Sequence, residues 1–113
     1  MILTAVIAAA LVAAFPVQAQ PTVKVGVILT LSGQFADAGI QLDNGIKTYM
    51  KQHGETVAGK KIEIIRKDTG GPAPDVAKRL AQELVVRDKV DVIGGLILTP
   101  NALAVADVST EAK

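Results

Sequence analysis

Three apolar runs, each followed by a stretch with helical spacing, restrict this chain more than any other feature. The runs fall at residues 23–31 (VKVGVILTL), 61–67 (KIEIIRK) and 90–98 (VDVIGGLIL). The first is almost continuously apolar, as expected of a central parallel strand covered on both faces. The second is more polar and is expected nearer an edge. A β-α-β-α-β-α alternation implies an α/β fold with a parallel sheet, right-handed crossovers and helices in layers on its faces.

The helical stretches follow from spacing and punctuation. From about residue 36 to 52, Leu42, Ile46, Tyr49 and Met50 recur on one face, and Gly54 is placed to cap the helix end. Asn44-Gly45 interrupts this pattern, and a glycine inside a helix suggests close packing at Gly45. Residues 74–88 read as a second helix, with Val76, Ala77, Leu80, Ala81 and Leu84 inward. Asp75/Arg79 and Glu83/Arg87 are spaced as i, i+4 ion pairs on its outer side. The third helix starts at Thr99-Pro100, where Thr is a good cap and Pro is favoured in the first turn.

Composition removes several function classes. The 113 residues carry 12 Lys+Arg against 11 Asp+Glu, and aromatics are 3% of the chain. With neither a basic stripe nor stacking platforms, no nucleic-acid partner is expected. There is no cysteine, hence no disulfide, thiol chemistry or thiolate metal site. His53 is the single histidine and has no second ligand near it in sequence, so no metal is expected. Residues 30–39 lack both G-x-G-x-x-G and a P-loop lysine, and no nucleotide cofactor is expected. No acid, base or nucleophile clusters at the strand ends, so no catalytic residue is assigned and the chain is not expected to be an enzyme.

The strand ends do suit binding. In an open α/β sheet, ligands collect at the carboxyl ends of the strands, where helix N-termini offer unpaired N–H groups. After the first strand, Ser32 and Gly33 form a turn, with Ser32 able to cap the helix, and Gln34 and Phe35 follow. After the third, Gly94-Gly95 implies a close backbone or ligand approach, followed by Leu98, Thr99, Pro100 and Asn101. Asp68, at the end of the middle strand, reads as a loop or cap residue. Lys60-Lys61 and Arg66-Lys67 read as solvated positions around an edge strand.

At the other end, nothing is charged before Lys24. An apolar run to Phe15, a break at Pro16 and small residues at Val17 and Ala19 match a signal peptide, residues 1–19, cleaved after Ala19. The mature part, residues 20–113, is then expected to be exported and soluble.

The order of these parts resembles the start of the branched-chain-amino-acid-type periplasmic substrate-binding proteins of ABC transporters. The matching pieces are Val25-Gly26-Val27, Leu31-Ser32-Gly33, Ala58-Gly59-Lys60-Lys61-Ile62, a strand ending at Asp68, and Val90-Asp91-Val92-Ile93-Gly94-Gly95. The resemblance implies a type I periplasmic binding fold, of which residues 20–113 would be the beginning of the N-terminal lobe. It implies capture of a small amino acid or carboxylate between two lobes, hinge closure, and delivery to an ABC permease. Carried over, the cleft residues are Ser32, Gln34 and Phe35 with Leu98, Thr99, Pro100 and Asn101. Amino-acid binders of this type usually carry a serine-rich stretch at the second loop. Leu96-Ile97-Leu98-Thr99-Pro100 has one hydroxyl, which leaves an aromatic or other small carboxylate equally open. A sensor domain of the same fold and an exported α/β enzyme are the alternative classes. Three strands bury little core, so the chain is expected to be the front of a larger protein or a truncated remnant, poorly stable or self-associating alone.

Overall fold

The computed structural model describes residues 18–112. All but the last two positions of the expected leader therefore lie outside the described residues. The elements run β1 (Thr22–Leu29), α1 (Ala36–His53), β2 (Thr56–Val57), β3 (Lys60–Asp68), α2 (Pro74–Glu83), a π-helical turn (Leu84–Asp88), β4 (Val92–Gly95) and α3 (Thr99–Ala112). The sheet order is β2-β3-β1-β4. β1 pairs in parallel with both β3 and β4, from Thr22↔Lys61 to Leu29↔Asp68 and from Val25↔Val92 to Ile28↔Gly95.

The expected parallel α/β sheet is present, with one addition. Residues 56 and 57 form a short antiparallel strand on β3, with Val57 opposite Lys60. Ala58 and Gly59 both have positive φ, 50° and 77°, as a two-residue hairpin turn requires. The middle strand is thus one place in from the edge.

Two neighbouring residues of β3 show how the layers are arranged. Arg66 pairs with Asp43 of α1, and Lys67 pairs with Glu83 of α2 at 3.4 Å. Successive strand residues face opposite sides of a sheet, so α1 and α2 cover opposite faces. α3 packs beside α2. Arg66 and Lys67 are accordingly half-buried partners in ion pairs, not the solvated positions expected from sequence.

The largest buried cluster lies on the α2/α3 side, while Val27 and Leu29 are buried on the α1 side. Ile28, Ala77, Leu80, Ala81, Leu84, Val105 and Val108 are buried together, with Ile65, Ile93 and Leu96 packed against them. Leu84 sits on the bare backbone of Gly26, where an added Cβ would come within 2.8 Å of a Leu84 methyl. The predicted second helix changes character at this residue. It is α-helical to Glu83, then widens into the π turn and ends at Lys89, which is left-handed at φ 53°. The ion pairs shift as well. Arg79 bonds Glu83 at 2.7 Å, not Asp75, while Arg87 reaches Glu83 as expected.

α1 ends as predicted, with the Gly54 N–H donating to the Met50 carbonyl at 2.8 Å. Its close contact falls elsewhere. A Cβ on Gly39 would run into the Thr30 carbonyl, whereas nothing lies within 4 Å of such an atom on Gly45. Gly39 lets the first turn of α1 seat on the end of β1; Gly45 faces open space.

Candidate functional site

β1, β3 and β4 are parallel, so Leu29, Asp68 and Gly95 bring their carboxyl ends to one edge of the sheet. From β1 the chain moves outward to β3, then returns past β1 to β4. The order reverses between β1 and β4, and at such a point the loops that follow the two strands diverge to leave a crevice.

The loop after β1 departs from the ladder early. β1 was expected to reach Leu31 but ends at Leu29, and the Thr69 N–H and hydroxyl both bond the Leu29 carbonyl, at 2.9 and 3.2 Å. The Leu31 N–H then turns to the Asp68 carboxylate at 2.8 Å. The Ser32 hydroxyl donates to the other Asp68 oxygen at 2.7 Å. Ser32 was expected to cap α1; the capping position belongs to Phe35, and no side chain bonds there. Gln34 and Phe35 are exposed.

The loop after β4 is formed by a left-handed pair. Gly95 has φ 95°, and a Cβ there would strike the Ile28 carbonyl. The close approach implied by Gly94-Gly95 is therefore to backbone, and it is made by Gly95. Leu96 follows at φ 59°, an uncommon conformation for a branched side chain, and donates its N–H to the same Ile28 carbonyl at 2.8 Å. The Leu98 carbonyl accepts the first helical bond from Ala102 at 3.1 Å, which puts Leu98 at the capping position and Thr99 and Pro100 in the first turn. Leu98 is half-buried, Thr99 and Pro100 are exposed, and the free N–H groups of this turn suit a carboxylate.

Asn101 is placed differently from the other six residues. It is 2% exposed. Its Oδ1 accepts the Ala73 N–H at 2.9 Å, and its Nδ2 donates to the Gly71 carbonyl at 2.9 Å and to Thr69 Oγ1 at 3.3 Å. Those bonds use both amide hydrogens within the protein. Thr69 and Thr30, whose hydroxyls lie 3.0 Å apart, complete the buried contact. Sequence reasoning did not single out Thr30 or Thr69. No local signal marked them, because it is the strand register, with Leu29 opposite Asp68, that makes Thr30 and Thr69 neighbours.

Burial pushes the Asp68 carboxyl upward, but the Ser32 hydroxyl and the N–H groups of Leu31, Gly70 and Ser32 outweigh it and hold it below its usual range. It is an ionised tie between two loops at neutral pH. His53 is at the far end of α1, stacked on Tyr49 with ring centres 4.2 Å apart. Among the described residues, no three His, Asp or Glu side chains gather as a metal site. An open hollow of about 520 Å³ does exist, lined by residues such as Val90, Val92 and Ser109. It lies at the amino end of β4, along the strand's unpaired side and away from the strand ends that form the crevice.

An open, largely parallel α/β layer with its loops converging at one edge leaves a crevice of the kind in which small molecules bind. The chain belongs to the periplasmic binding protein family, whose model matches residues 22–113. Over 86 residues it is 42% identical to a Leu/Ile/Val-binding protein homolog 6 of Brucella abortus (strain 2308), a match covering 76% of this chain and 22% of that protein. It is 57% identical, with a TM-score of 0.77, to a solute binding protein of an ABC transporter from Rhodopseudomonas palustris BisB5, solved in complex with 3,4-dihydroxy benzoic acid. That match covers 80% of this chain and 24% of the other. A second R. palustris solute binding protein, in complex with 4-hydroxybenzoate, is 46% identical with a TM-score of 0.77, over 80% of this chain and 25% of its own. The chain thus spans about a quarter of the length of the relatives it matches. Over the matched residues the chain has their type I periplasmic binding fold.

Proposed function

We propose that this chain forms one wall of the ligand cleft of an exported, non-enzymatic solute-binding protein, which takes up a small aromatic carboxylate and hands it to an ABC permease in the periplasm. The observation that carries this reading is the loop from β4 into α3. Ile97 and Leu98 bring apolar side chains to a helix N-terminus with a single hydroxyl, Thr99. Free N–H groups of the first turn receive the carboxylate; Leu98, Pro100 and the exposed Phe35 ring offer apolar surface to an aromatic ring. Ser32 and Gln34 border the same crevice and supply polar contacts to ring hydroxyls. Asn101 serves the site from behind. Higher identity to the two benzoate-bound proteins than to the Leu/Ile/Val-binding relative supports the same ligand class.

The test uses native protein from an osmotic-shock extract of its source cells. Its N-terminus is expected at Gln20, following cleavage of residues 1–19. Calorimetric titration with 3,4-dihydroxybenzoate, 4-hydroxybenzoate and leucine should show binding of an aromatic acid and none of leucine. Binding of leucine alone would overturn the ligand class, and an N-terminus at Met1 would overturn the cleaved leader.

A further inference from the structure

The two loops assigned to the ligand are both fastened to a third that was given no role, the turn after β3. Asp68 grips the first loop through the Leu31 N–H at 2.8 Å and the Ser32 hydroxyl at 2.7 Å, while bonding the Gly70 N–H of its own turn at 2.9 Å. Gly33 rests on the Gly70 carbonyl so closely that a Cβ would collide with it. On the other side, Asn101 in the first turn of α3 holds the Gly71 carbonyl and the Ala73 N–H, each at 2.9 Å. Between these grips runs a buried relay: Asn101 Nδ2 to Thr69 Oγ1 at 3.3 Å, and Thr69 Oγ1 to Thr30 Oγ1 at 3.0 Å. All three relay residues are buried, where polar bonds are strong and costly to break.

We propose that the turn at residues 69–73, held by Asp68 and Asn101, is the positioning element that sets the two ligand loops relative to one another. Asp68, Thr69 and Asn101 are positioning residues, acting on the ligand through Ser32 on one side and Thr99-Pro100 on the other. The proposal rests on the assignment of those loops to the ligand. It follows that loosening either grip slackens both loops, although Asp68 and Asn101 share no direct bond.

A double-mutant cycle on the native protein tests this, using Asp68→Asn and Asn101→Ala with 3,4-dihydroxybenzoate as the probe. Each single change should weaken binding about tenfold, through loss of charge-assisted or buried hydrogen bonds. The double variant should fall well short of the roughly hundredfold loss that independent sites would give. Thr69→Val, which breaks the relay, should weaken binding, and Thr69→Ser, which keeps the hydroxyl, should restore it. Additive losses, or lowered melting temperatures with unchanged affinity, would overturn the proposal. Amide hydrogen exchange of the unliganded protein provides a readout free of the ligand assignment: Asn101→Ala should speed exchange at the distant Leu31 N–H. If the wild type binds none of the aromatic acids, the ligand reading fails. Faster exchange at Leu31 then still supports the coupling, and unchanged exchange refutes it.

Discussion

The two faces of the sheet are built from similar patterns and end up different. On the α2/α3 face, Ala77, Leu80, Ala81, Leu84, Val105 and Val108 are buried against Ile28. On the other face, α1 buries only Gly39 and Asp43. Leu42 remains 38% exposed, Tyr49 56%, and Val92 on the neighbouring strand 52%. β1 buries Ile28 on the first face and Val27 and Leu29 on the second, but α1 adds no buried apolar side chain there beyond the contact at Gly39 and the charges around Asp43. Helical periodicity says which residues share a face; it does not say how much of that face is covered.

The largest effect that separates the faces should come from Leu84. Leu84→Ala removes a fully buried side chain seated on Gly26 and should cost about 3 kcal/mol. Leu42→Ala, on the open face, should cost less than about 1 kcal/mol, because that side chain keeps much of its contact with water. Denaturant unfolding of the two variants checks the pair, and equal losses would mean that the α1 face is as well covered as its counterpart.

A second contrast lies within α1. Gly39→Ala places a methyl against the Thr30 carbonyl and should destabilise by about 2 kcal/mol. Gly45→Ala meets open space and should stabilise by up to about 1 kcal/mol, by removing backbone freedom from the unfolded chain. Opposite signs of melting-temperature shift are the result to look for.

The smallest effect is electrostatic. Burial pushes the Asp43 carboxyl upward, but Lys47 at 2.6 Å and Arg66 outweigh it and hold it below its usual range. Its folded value lies under the unfolded one of about 4. The stability it contributes is therefore complete above about pH 4 and is lost as pH falls further, through the folded value. Asp43→Asn should lower stability by about 1 kcal/mol at pH 7 and flatten the acid limb of a stability–pH profile. An unchanged acid limb would show that the α1 face does not depend on this charge.

Much of the local geometry of the candidate site could be read from the chain, and the part that could not has a clear cause. Gly33 announced a turn, Gly94-Gly95 a close approach and Thr99-Pro100 a helix start, all from local backbone preference. Ser32 was assigned to the wrong partner. A capping serine and one that bonds an aspartate 36 residues later look alike in sequence, and only the register of β1 against β3 brings Asp68 within 2.7 Å. Asn101 looked like a residue offered to a ligand, yet its amide is used inside the protein, since the turn after β3 arrives from 30 residues away.

The alternation of runs determined the α/β layering, the parallel pairing of three strands and the place of the loops, because period and handedness are properties of the local chain. The tertiary structure alone decided the extra strand at Thr56–Val57, the π turn under Leu84, the unequal cover of the two faces and the bridge from Asp68 to Asn101. Each of these depends on which distant residues meet, and a polar group takes its final partner from whichever of them burial brings near.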